Sequence, residues 1–183
     1  MREIYTITLI LILSFSLFAA PTLLRWSGNI PGVIGVPSYM HLRIAKMVHD
    51  GNFNWHDPLS YGGRTFTYTP GAEFLLALSG FMLPIELASV LLFALIGSLS
   101  ILLFYFISKN FGNAKLSVLM FALTPAIIVL FSHIDSRAPG IFMGLLALYL
   151  ITKSEKNIPV AAIVLGISSF FHAEPFLFFS FLS

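Results

Sequence analysis

Long apolar stretches constrain this sequence more than any other feature, because each is long enough, or nearly so, to cross a bilayer as a helix. A helix needs about 20 apolar residues to span the hydrocarbon core. Candidate spans lie at residues 4–24, 86–108, 115–133, 138–152 and 158–182. Charged residues make up 10% of the chain, against about 25% in a soluble domain. The sequence therefore predicts an all-α, polytopic integral membrane protein.

The two ends of the chain add to this prediction. Arg2 followed by an apolar run could form a secretory signal, but the run continues through Leu24, which favours a retained span. The chain ends after an apolar run with no polar tail. We expect a single transmembrane domain over 1–183 that is incomplete at its C-terminus.

The distribution of positive charge predicts the orientation. The apolar stretch 72–83 would be about 18 Å long as a helix, too short for the hydrocarbon core, so we expect an interfacial helix within an external loop over 25–85. The short loops then place four lysines and the N-terminus in the cytoplasm, as the positive-inside rule requires. These lysines are Lys109, Lys115, Lys153 and Lys156. If residues 72–83 crossed the membrane, the four lysines would lie on the external side, against this rule. We therefore expect a cell-membrane protein with a cytoplasmic N-terminus.

The external loop is rich in groups that could bind a substrate. Ser38 can cap a helix that runs to about His49 and stops at Gly51. Arginine suits bidentate phosphate contacts, and aromatic side chains could stack on sugars, although an interfacial aromatic belt is an alternative. Substrate-binding candidates in the loop are His41, Arg43, Arg64 and Tyr68.

Outside this loop, two further clusters could carry chemistry. Asp135 and Arg137 lie in the external turn between two spans, where Asp135 could be a catalytic or metal-binding acid, or could simply pair with Arg137 or cap the next helix. His172 and Glu174 fall within the last predicted span, beside Pro175. They could form a polar substrate-binding site, or they could pair with each other and serve helix packing. Both clusters would face the long loop.

Several classes of function are disfavoured. A formal net charge of +2 and the lack of a basic run argue against nucleic acid binding. Cysteine is absent, so disulfides and thiolate chemistry are excluded. The sequence contains no Walker A loop, GxGxxG or HExxH motif.

The loop sequence GVPSYMHLRIAKMVHDGNFNWHDPLSYGGRTFTYTPG resembles the first external loop of GT-C membrane glycosyltransferases, particularly archaeal relatives of the oligosaccharyltransferase catalytic subunit. Those loops read close to G-x-D-S-Y-Y-H-L-R-I-A, then D-P-L-S, G-G-R and Y-P-P-G. The matching runs are 38–39, 41–45, 57–60, 62–64 and 68–71. FSHIDSRAPG and SSFFHAEP are similar to later segments of the family, in the same order.

The resemblance implies a GT-C-like helix bundle that transfers a sugar from a polyprenyl-phosphate-linked donor on the external face. It implies that Asp135 is the retained acid and the ligand of a divalent metal, Mn²⁺ or Mg²⁺. Two departures stand against this: Pro37 replaces the first-loop acid, and Arg137 stands at the second acid of the D-x-E motif. With both acids lost, Asp57 is the nearest other acid of the external loops and becomes the second candidate catalytic residue.

Two alternatives therefore remain open. The first is a non-catalytic membrane subunit with a glycosyltransferase-derived scaffold, which would bind the lipid carrier, membrane lipid or a further membrane subunit. The second is a transporter piece with His172 and Glu174 as an ion site, which the absence of inverted repeats disfavours.

Overall fold

The computed structural model describes residues 2–30, 32–57, 63–65 and 69–182, and for Arg2, Asp57, Arg64 and Leu182 the backbone alone. Over these residues the chain forms nine α-helices, one 3-10 turn and a two-residue antiparallel ladder. The helices are α1 (Arg2–Ser27), α2 (Val36–His49), α3 (Gly71–Gly80), α4 (Ile85–Ser108), α5 (Ala114–Ala122), α6 (Pro125–Ser132), α7 (Arg137–Lys153), α8 (Ile158–Ser168) and α9 (Ala173–Leu182). The ladder joins β1 (His56–Asp57) to β2 (Arg64–Thr65), and the 3-10 turn is Glu155–Asn157.

Helix α4 is the centre of the fold, and α1, α3, α5, α6 and α7 all pack on it. Close approach is possible because Gly97 lies where α4 meets Phe18 of α1 and Phe131 of α6. The Phe18 and Phe131 rings are 5.3 Å apart at their centroids, and both residues are fully buried. Small residues allow such backbone proximity between membrane helices.

Among the described residues, α1 and α4 are long and apolar enough to cross a membrane, and the α5–α6 pair is a third span if the two helices are counted together. The sequence predicts one span over 115–133, but α5 and α6 meet at an angle of 63°. The cause is Pro125, which opens α6 and holds Thr124 in an extended conformation. These helices indicate a membrane protein.

The last two predicted spans also differ in the structure. Helix α7 has 17 residues, about 26 Å of helix, which is shorter than the hydrocarbon core. The predicted span 158–182 is two helices, α8 and α9, separated by residues 169–172. The break places Pro175 in the first turn of α9. Proline is tolerated at this position because the N–H that it lacks would have no partner within the helix.

The loop between α1 and α4 folds against the bundle. Helix α2 ends at His49, and Gly51 takes φ +70° beyond it, as a helix-terminating glycine does. Ser38 is not the N-cap, since Gly35 holds that position. Helix α3 has 10 residues, too few to cross a bilayer. It packs on α2 and α4, and the short β1–β2 ladder lies between α2 and α3.

Candidate functional site

Four elements meet at one end of the bundle: α2, α3, the turn between α6 and α7, and the turn between α8 and α9. Ser38 Oγ accepts a hydrogen bond from Ile134 N at 3.0 Å and lies 3.4 Å from Ile134 O. Thr69, just before α3, lies 3.4 Å from the carbonyl of Ser169. The opposite end of α4 is marked by the ion pair of Lys109 and Glu3, at 2.5 Å.

His41 and Glu73 form the most deeply buried ionisable pair among the described residues. His41 Nδ1 lies 2.5 Å from Glu73 Oε1, and Glu73 is fully buried. The contact with the carboxylate fixes the orientation of the imidazole ring. Glu73 Oε2 is buried without a hydrogen-bond partner, which is costly for a carboxylate.

Asp135 is buried in the α6–α7 turn and is fully engaged by its neighbours. Arg137 donates from Nε to Oδ1 at 3.0 Å and from Nη2 to Oδ2 at 2.6 Å, and its backbone N–H donates to Oδ1 at 2.8 Å. His133 Nε2 lies 3.5 Å from Oδ2. Burial alone would raise the pKa of Asp135, but the hydrogen bonds from His133 and Arg137 and the charge of Arg137 lower it well below its usual range.

This geometry does not suit a divalent metal on Asp135, because both carboxylate oxygens already accept from a guanidinium whose charge would repel the ion. Within the part of the chain that the structure describes, no three histidine, aspartate or glutamate side chains come together as metal ligands. The side chain of Asp57, the other predicted catalytic acid, is outside the described residues.

Beside Arg137, Glu174 completes the mouth of an apolar cavity. The cavity has a volume of about 530 Å³ and runs between α4, α7 and α9 along Arg137, Ile141, Leu145 and Leu148 of α7. This face of α7 runs over 12 residues, from Arg137 to Leu148, or about 16 Å of helix, which is roughly the depth of one leaflet. The cavity is thus apolar along its length and charged at one end.

His172 and Glu174 lie at the site end of α8 and α9, not inside a continuous helix. His172 Nδ1 accepts from Glu174 N at 3.3 Å, as an N-cap side chain does. His172 Nδ1 lies 4.0 Å from Glu174 Oε2, and the Glu174 side chain is 71% exposed. An ion site buried within a span, as a transporter would need, is therefore not formed by this pair.

The predicted loop residues are only partly brought together. Arg43 leaves α2 roughly 200° around the helix from His41, so the two do not form one phosphate clamp. Asp57 and Arg64 are partners in the register of the ladder, but their side chains are outside the described residues, as is the whole of Tyr68. His41 and Arg137 belong to the same end of the bundle, joined through Ser38 and Ile134.

Sequence reasoning missed Glu73. The signal was present, because Glu73 is the one acid in the apolar stretch that forms α3, two residues after Gly71. An ionisable residue in an apolar helix is by default a candidate for function. Its partner His41 lies 32 residues earlier in the chain, and no helix or strand periodicity relates two residues that far apart.

Comparison of the chain with protein families, with curated proteins and with solved structures finds no match. The residues of the site itself are therefore the basis for any functional conclusion.

Proposed function

We propose that this chain is a GT-C-type membrane glycosyltransferase, or the N-terminal part of one, in a polytopic helix bundle. It transfers a sugar from a polyprenyl-phosphate-linked donor on the external face of the cell membrane. The observation that carries the proposal is the bonding of Ser38 to Ile134, because it joins the loop with the buried His41–Glu73 pair to the turn that bears Asp135 and Arg137. Two regions that resemble the family's catalytic loops thus share one end of the bundle.

The donor would bind across the mouth of the 530 Å³ cavity. Its isoprenoid chain is apolar and would lie against α7 and α9, while its phosphate would meet Arg137. The carboxylate of Asp135 accepts hydrogen bonds from Nε and Nη2 of Arg137. Nη1 of Arg137 would then donate to a phosphate oxygen. The exposed carboxylate of Glu174 is placed to accept hydrogen bonds from sugar hydroxyls.

In the transfer step, the acceptor's oxygen or nitrogen attacks the anomeric carbon of the donor sugar. The bond from that carbon to the phosphate oxygen breaks, and polyprenyl phosphate leaves with the electron pair. The acceptor's proton passes to the buried His41–Glu73 pair, in which the carboxylate stabilises the positive charge that forms. Arg137 stabilises the charge that develops on the leaving phosphate. Asp135, whose two carboxylate oxygens both accept from Arg137, holds that guanidinium in place. No step requires a metal on this carboxylate.

A second candidate is the non-catalytic subunit that binds the lipid carrier. Two observations favour it: Pro37 has no acid function, and the carboxylate of Asp135 is fully occupied by Arg137. This protein would use the same cavity and the same arginine but would lack the transfer step.

Reconstitution of the full chain with radiolabelled polyprenyl-phosphate sugars, with and without Mn²⁺ or Mg²⁺, separates the candidates by measuring donor binding and sugar transfer independently. An enzyme binds and transfers; His41→Gln then binds but transfers poorly, and Arg137→Gln loses binding. Lys46→Gln, an exposed cation at the same end, is the matched control. Binding without transfer in the unsubstituted protein supports the second candidate, and no binding rejects both.

A further inference from the structure

A second apolar groove lies at the end of the bundle opposite to the candidate site. It has a volume of about 460 Å³ and is lined by Leu9, Leu13 and Leu17 of α1, by Ile101 of α4, and by one face of α5. Helices α1 and α5 both pack on α4, so α4 forms the floor of the groove and the other two form its walls.

The bend between α5 and α6 closes the groove halfway along α1. Helix α5 stands apart from α1, but after the 63° turn α6 returns to it, and Phe131 packs on Phe18. The lining on α1 runs over 12 residues, from Thr6 to Leu17, or about 16 Å of helix. This is close to half of a ~30 Å hydrocarbon core, so the groove is one leaflet deep.

The open end of the groove carries a positive charge. Lys115, in the first turn of α5, is part of the lining, and no carboxylate among the described residues forms an ion pair with it. The neighbouring Lys109 is neutralised by Glu3 at 2.5 Å. The groove therefore has an apolar depth and a cationic rim, which is complementary to an anionic lipid and not to a zwitterionic one.

We infer that this groove binds one acyl chain of an anionic glycerophospholipid, with its phosphate on Lys115, in the leaflet opposite to the candidate site. The inference is independent of the glycosyltransferase proposal, because it uses a different cavity and different residues.

Native mass spectrometry of the purified full chain, titrated with phosphatidylglycerol or phosphatidylcholine, tests this inference. We expect phosphatidylglycerol to be retained preferentially, and Lys115→Gln to weaken that retention about five-fold. Lys156→Gln, an exposed lysine outside the groove, is the matched control. Leu119→Trp, which fills the groove from α5, should also displace the lipid while leaving Lys115 in place.

Equal retention of the two lipids, or equal losses in Lys115→Gln and Lys156→Gln, would overturn the inference. Loss in Lys115→Gln without any loss in Leu119→Trp would also overturn it, because the lipid would then touch only the surface lysine. Circular dichroism of each variant verifies that the helices remain folded.

Discussion

Ser38 of α2 and Ile134 of the α6–α7 turn are joined by hydrogen bonds between elements that lie 96 residues apart in the chain. Both residues are buried, so water cannot replace the contact. Asp135 follows Ile134 directly, and His41 is one turn along α2 from Ser38. The bond therefore sets the position of the loop helix relative to the acid and the arginine of the turn.

Ser38→Ala should lower the free energy of unfolding by about 1–3 kcal/mol, because it leaves the buried amide of Ile134 without an acceptor. The measurement is thermal unfolding in detergent, combined with hydrogen exchange of residues 133–136. Ser27→Ala is the control, since the exposed Ser27 hydroxyl donates only to Leu24 O. Equal stability of the two variants would show that the Ser38 contact does not hold the turn.

Glu73→Gln should also destabilise the protein by about 1–2 kcal/mol, because the buried hydrogen bond to His41 would no longer be charge-assisted. It should also shift the resonances of the His41 ring, which NMR of labelled imidazole nitrogens can follow. Glu86→Gln breaks an exposed ion pair with Lys46 and should cost below about 1 kcal/mol. Unchanged imidazole signals in Glu73→Gln would contradict the pairing.

Asp135→Asn should reduce stability in a manner that depends on pH. Burial raises the pKa of Asp135, but His133 and Arg137 lower it more, so the folded pKa lies below the ordinary value of 3.8. The contribution of the ionised Asp135 to the free energy of unfolding is complete at pH values above the ordinary pKa. It is lost as the pH falls through the pKa of the folded state. We expect a constant difference in melting temperature from wild type between about pH 7 and 5, and a decline only in stronger acid.

The control for that measurement is Asp50→Asn, whose carboxylate is exposed beside His49. It should change the melting temperature little at any pH. A difference between wild type and Asp135→Asn that already disappears near neutral pH would contradict the Arg137 pairing.

Gly97→Ala should destabilise the bundle by about 1–3 kcal/mol. A Cβ at this position would lie 2.7 Å from both Phe131 and Phe18, so the three helices would have to separate. Gly166 is the matched control in α8, where an added Cβ has no neighbour within 4 Å. Gly166→Ala should be neutral or stabilising by up to about 1 kcal/mol. Thermal unfolding in detergent compares the two, and equal effects would disprove close packing at Gly97.

The two ends of the bundle should lie on opposite sides of the membrane. The chain lacks cysteine, so Asn52→Cys and Asn110→Cys each provide a unique site for a membrane-impermeant maleimide. We expect labelling of intact cells at position 52 and protection at position 110 until the membrane is opened. Labelling of both in intact cells, or of position 110 alone, would contradict the predicted orientation.

The residues alone predict much of the helical framework, because apolar length and backbone restrictions act locally. The spans at 4–24 and 86–108 correspond to α1 and α4, and Gly51 ends α2 through its positive φ. Within the predicted span 158–182 a proline can kink a continuous helix, yet Pro175 lies in the first turn of α9. Proline is compatible with a kinked helix and with the start of a new helix. In the structure a new helix starts near Pro175, and this helix, α9, packs against α7.

The site itself could not be derived in this way. The sequence allows Asp135 to be a functional acid or a partner of Arg137, and only the structure shows that both carboxylate oxygens are engaged. Glu73 was overlooked because its function depends on His41, which no helical period relates to it. The sequence by itself determined which segments are apolar and where the chain must turn. The tertiary structure alone decided which polar groups meet, because pairings across 32 and 96 residues depend on how helices pack and not on local periodicity.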